Sequence, residues 1–145
     1  RLLSRGLGDV YKRQVQASRW NSIESVETQL IMFELDGTRR WSWTPEIASN
    51  AACNMYVLPA DLDADGEPEI VVGIYATRWQ TTTDMNTAPT PQLVESHLAL
   101  LSWHGEARSV RRVGSAIERI WLAESDPPRI MVMVDGRLRR FTWTP

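Results

Sequence analysis

Sulfur and imidazole chemistry have little foothold in this chain. Cys53 is the only cysteine among 145 residues, so an internal disulfide is excluded. That leaves the compartment open, because a metal can take over the stabilising role of a bridge. His97 and His104 are the only histidines, and neither is spaced with Cys53 as a nucleophile's partner. Cys53 therefore reads as a small buried hydrophobe. No stretch approaches the roughly 18 consecutive apolar residues of a membrane-spanning helix. Lysine occurs once, as Lys12. Against these absences stand an apolar share of 43% and a charged share of 23%, which are those of a globular protein. The length suffices for one domain with a sizeable core, and seven tryptophans supply bulk for it.

The lone lysine falls in a stretch that looks foreign. Asp9-Val-Tyr-Lys-Arg-Gln14 resembles one reading frame of the transposon-end adapter used in sequencing libraries. Residues 15–145 contain twelve arginines and no lysine, the habit of a GC-rich gene. Residues 1–14 are therefore set aside from the fold argument. The expectation is a translated piece of a longer gene with an artificial start. Removing the segment's net charge of +3 from the chain's −2 leaves −5 for the body. A mildly acidic body argues against nucleic acid as a partner. Arg137-Leu-Arg-Arg140 reads as a solvated strand face.

Apolar runs recur between turn signals. Gln29–Leu35 leads through Asp36-Gly37 to Thr38–Trp43. His97–Trp103 leads through His104-Gly105 to Ala107–Val113, and Arg129–Val134 leads through Asp135-Gly136 to Arg137–Trp143. Each is a strand, an X-Gly turn and a second strand, and Asp-Gly between two such runs is the strongest short hairpin signal. Further strands are expected near Asn54–Pro59 and Glu69–Ala76. Single helical turns are expected at Glu46–Ala52 and Ser115–Arg119. Arg-Arg-Trp-Ser-Trp-Thr-Pro45 returns as Arg-Arg-Phe-Thr-Trp-Thr-Pro145, which suggests an internal repeat. The expected fold is all-β, a partial β-propeller of about two four-stranded antiparallel blades. The alternative is a β-sandwich-like module. The expected organisation is a partial blade over 15–50, a complete blade over 51–115 and a partial, degenerate blade over 116–145.

The richest chemistry lies in Asp61-Leu-Asp-Ala-Asp-Gly-Glu-Pro-Glu-Ile-Val-Val-Gly73. Carboxylates stand at positions 1, 3, 5 and 9 of a short loop, with glycine at position 6. Carboxylates so close repel one another unless a cation neutralises them. Shifted by sixty residues, the loop falls on Trp121–Ile130 with Pro68 on Pro128 and Ile70 on Ile130. There Asp61, Asp63 and Asp65 become Trp121, Ala123 and Ser125, and Glu69 becomes Arg129. The second copy reads as the same turn with its metal site lost.

These residues resemble the FG-GAP repeats, also called VCBS or integrin-α-like propeller repeats. The match is the Asp-x-Asp-x-Asp-Gly loop of Asp61–Glu69, the strand Asn54–Ala60 before it and the aliphatic strand ending at Gly73. Glu69 departs from the usual final Asp. The resemblance implies a propeller of several blades and calcium in the loop.

Calcium takes six to eight oxygen ligands in irregular geometry. Asp61, Asp63 and Asp65 can each offer a carboxylate oxygen, Glu67 its main-chain carbonyl, and Glu69 is expected to close the site. An EF-hand shares the first positions but needs a bidentate Glu at position 12 and flanking helices. Position 12 is Val72, inside a β-branched run, so an EF-hand is rejected. Zinc wants nitrogen or sulfur ligands that the loop lacks, and magnesium prefers rigid octahedral sites.

Thr77–Glu95 reads as a long polar connection, and loops of that length are often functional. Arg78 and Trp79 are its candidate contacts for a protein or carbohydrate ligand. Met55, Trp103, Trp121 and Trp143 read as core. The leading expectation is a non-catalytic, calcium-binding propeller piece with an adhesion or ligand-binding role. The resemblance places it outside the cell, in the periplasm or at the cell surface. The alternative is part of a propeller enzyme such as a polysaccharide lyase.

Overall fold

Ten antiparallel strands make up the regular structure of the described residues, and no helix occurs among them. The computed structural model describes residues 14–22, 25–47, 51–80, 90–123, 125 and 128–142. Strands β1 (Gln14–Ser22), β2 (Ser25–Phe33) and β3 (Arg39–Trp43) form a first sheet in that order. Strands β4 (Ala52–Ala60), β5 (Glu69–Gln80), β6 (Thr90–Leu101) and β7 (Ala107–Arg112) form a central sheet, again in chain order. Strands β8 (Ile117–Ala123), β9 (Arg129–Val134) and β10 (Arg137–Phe141) form a third. The chain is thus all-β, in open antiparallel sheets. The four-stranded sheet of the sequence reading is realised only in the middle; each outer sheet has three described strands.

The X-Gly turns close hairpins as their chemistry dictates. Asp135 and Gly136 both take positive φ, 49° and 65°, matching the twist of a tight hairpin. At Asp36-Gly37 the turn closes through Glu34 and Thr38, and the Asp36 carboxylate accepts the Thr38 N–H at 2.8 Å.

The central sheet is buried on both faces. Ile70, Val72 and Ile74 of β5 pack with Ala99 and Leu101 of β6 toward Leu30, Met32, Trp41 and Trp43 of the first sheet. Val71, Leu98 and Leu100 pack instead toward Ile117, Ile130, Val132 and Val134 of the third. Two buried faces explain why Ile70–Ile74 shows no polar alternation. Each such aliphatic side chain stabilises the fold by roughly 1.5–3 kcal/mol through burial. Gly73 faces the third sheet closely: a Cβ there would lie 3.2 Å from side-chain atoms of Ile117 and Ile120.

Three expectations change. Ser115–Arg119 is not a helical turn, because β8 begins at Ile117, which is buried in the core and pairs with Val134. Glu46 and Ile47 are irregular, Ala52 opens β4, and residues 48–50 lie outside the described residues. Trp121 joins neither core. Its neighbours Ile120 and Leu122 take the inward positions of β8, and strand alternation turns Trp121 to the outer face beside Glu118, Arg119 and Met133. Met55 and Trp103 do pack against the core, and Trp143 lies outside the described residues. Cys53 is buried, and burial pushes its thiol up to about 11, which keeps it protonated and inert.

Candidate metal centre

The acidic loop spans the gap between Ala60 and Glu69, which face each other as the last pair of the β4–β5 ladder. Leu62 anchors it by entering the core beside Val71. The chain then coils tightly, with positive φ at Ala64 (61°) and Gly66 (92°). Backbone N–H groups hold the carboxylates inward. Gly66 donates to Asp61 Oδ2 at 3.1 Å, Asp65 to Asp63 Oδ1 at 3.3 Å, and Glu67 to Asp65 Oδ1 at 2.7 Å.

The result is a cluster. Carboxylate oxygens of Asp61, Asp63 and Asp65 lie within 4.8 Å of one another, an arrangement that could hold a metal ion. At that distance each charge pair repels by ~1 kcal/mol in a water-like medium and ~3.5 kcal/mol at an effective dielectric of 20. Asp61 Oδ1 is shut off from solvent and accepts no hydrogen bond. A buried carboxylate oxygen without a donor is costly unless a cation satisfies it. The donor set is all oxygen, which suits a hard cation.

Glu69 lies apart from this trio. It is only 2% exposed, and both its oxygens are engaged. Oε2 accepts the Leu62 N–H at 3.0 Å, and Oε1 accepts from Arg108 Nη1 at 3.0 Å. Its pKa is raised above the ordinary carboxylate value. Burial is the main cause and the nearby Asp63 charge adds to it, while the Leu62 N–H and Arg108 oppose it. Glu67 points its carboxylate to solvent, 3.7 Å from His104 Nε2.

Arg108 and His104 were invisible to the sequence reading of this site. Both come from the β6–β7 hairpin, which chain order puts at the same end of the sheet as the β4–β5 loop. Arg108 Nη1 also lies 3.8 Å from Asp63 Oδ2. The hairpin is itself rigidly built. Ser102 is buried, and its Oγ accepts N–H bonds from His104 and Glu106 at 3.2 Å each. Trp41 of β3 donates its Nε1–H to the Trp103 carbonyl at 2.9 Å. Gly105, with φ of 86°, lies so close under the Trp41 ring that a Cβ would meet it at 2.6 Å. Arg40 lies over the Trp103 ring, 5.4 Å from its centroid.

The polar connection expected over Thr77–Glu95 is shorter than that. Strands β5 and β6 run on through polar residues to the pair Gln80–Thr90. The true connection, residues 81–89, lies outside the described residues, and its ends are at the opposite end of the sheet from the acidic loop. Arg78 and Trp79 are strand residues, paired with Gln92 and Pro91. Among the described residues no helix is long and apolar enough to cross a membrane. Comparison with protein-family models, with curated proteins and with solved structures finds no match.

Proposed function

We propose that the chain is a calcium-stabilised β-propeller segment of the FG-GAP type, non-catalytic, from a secreted or surface-exposed protein that binds a protein or carbohydrate ligand. The observation that carries the calcium reading is the Asp61, Asp63 and Asp65 cluster with its buried, unpartnered Asp61 Oδ1. Asp61, Asp63 and Asp65 would hold the ion. Calcium supplies charge neutralisation and further coordination sites for water or backbone carbonyls. Its role is structural: it offsets the repulsion among the loop's own carboxylates and so stabilises the folded coil.

The propeller reading draws support from the stacking. Three sheets follow one another in chain order, and the middle one is covered on both faces by its neighbours. Blades of a propeller bury their faces in this way.

Isothermal titration of calcium into the metal-free protein tests the site. One ion per chain is expected, with binding lost in Asp63→Ala. Absence of heat at millimolar calcium, or unchanged binding in the variant, contradicts the proposal.

A further inference from the structure

A buried carboxylate needs a counter-charge and filled hydrogen bonds. Glu69 has both without a metal, from Leu62 and Arg108. In the usual reading of such a loop the ninth residue closes the metal shell. Here that residue is spent on holding the loop's base to the neighbouring hairpin. The same Arg108 nitrogen lies 3.8 Å from Asp63 Oδ2, so one guanidinium faces both the buried anchor and the cluster's rim. Its side chain is 42% exposed, so water can replace Asp63 at the guanidinium while the bond to buried Glu69 is kept.

We infer that Arg108 is a built-in counter-cation of the acidic loop, which holds the loop together without metal and competes with calcium for Asp63; this rests on the calcium reading above. Two consequences follow from charge alone. An arriving cation is repelled by the guanidinium and must draw Asp63 away from it, so the site is weaker than three carboxylates alone make it. The loop keeps its shape when calcium is absent, because one positive charge already offsets part of the repulsion among four carboxylates. The hairpin that carries Arg108 is seated on the first sheet through Trp41 and Gly105. Metal affinity and that seating are therefore linked, and each biases the other equally.

The test compares wild type with Arg108→Met and Arg108→Lys at fixed ionic strength. Calcium affinity is read by titration calorimetry, and metal-free melting is read in chelator. Arg108→Met is expected to bind calcium about tenfold more tightly, the effect of one unit charge over a few ångströms in a wet surface loop. Its metal-free melting temperature should fall. Arg108→Lys keeps the charge and should stay within about threefold of wild-type affinity. A purely structural arginine gives the opposite result: Arg108→Met then binds calcium equally or more weakly, which overturns the inference. Should Arg108→Met not fold without metal, Arg108→Gln is read by the same criterion. Wild type that binds no calcium sinks the calcium reading itself. Wild type that binds, with variants that do not tighten, sinks only the role of Arg108.

Discussion

Two strand–turn–strand units, sixty residues apart, use one scaffold and end differently. In both, an aliphatic strand enters the core at an isoleucine, Ile70 in one and Ile130 in the other. In the first, β4 stops at Ala60 and the ladder resumes at Glu69, leaving 61–68 to fold back as the acidic coil. In the second, β8 runs on to Ala123 and pairs it with Arg129, so only 124–128 remain between strands. The residues aligned with Asp61 and Asp63 are Trp121 and Ala123, and both have become strand. The difference teaches that the pair of strands does not need the coil. The carboxylates do: they interrupt the ladder, are held inward by backbone N–H groups, and need a positive charge.

The largest effect that can break this comparison lies at its ninth position. Glu69→Ala leaves the buried Leu62 N–H without an acceptor and frees Arg108. The expected loss is about 2–3 kcal/mol, after allowing for the solvent open to Arg108. Arg129→Ala at the equivalent place should cost less than about 1 kcal/mol. Chemical denaturation of both variants in chelator checks the contrast, and equal losses refute it.

A somewhat smaller effect concerns the contact between the two units. Gly73→Val drives methyl groups against Ile117 and Ile120, already 3.2 Å from where a Cβ would stand. Overpacking of that kind costs about 1–3 kcal/mol. Unchanged stability in the same denaturation measurement means that the third sheet does not seat on β5 as described.

Much of this was legible in the sequence, for local reasons. Asp36-Gly37, His104-Gly105 and Asp135-Gly136 announce their turns because glycine after a polar residue suits positive φ. The unbroken run Ile70–Ile74 announces a strand covered on both faces. Alternate spacing of Asp61, Asp63 and Asp65 brings three carboxylates together once the loop coils. What stayed hidden depends on the third dimension. Arg108 meets Glu69 only because β6 and β7 add to the sheet in order, which returns their turn to the acidic end. Glu69, read from its ninth position as the residue that closes the site, is buried by its strand position and bonded to the Leu62 N–H and Arg108, which the sequence alone does not show. The far ends of β5 and β6, with Thr77, Arg78 and Gln92, are too polar to announce themselves as strands, yet their backbones continue the ladder to Gln80–Thr90. Trp121 looked like core by its size, and strand parity turned it outward.

Calcium held by Asp61, Asp63 and Asp65, as proposed, should stabilise the fold. Thermal unfolding in chelator against unfolding in calcium at a hundredfold excess over its dissociation constant tests it most directly. A ligand bound only by the folded state adds about 2.7 kcal/mol at that excess. For a chain of this size the melting temperature should rise on the order of 10 °C. Superimposable melting curves with and without calcium would contradict the account.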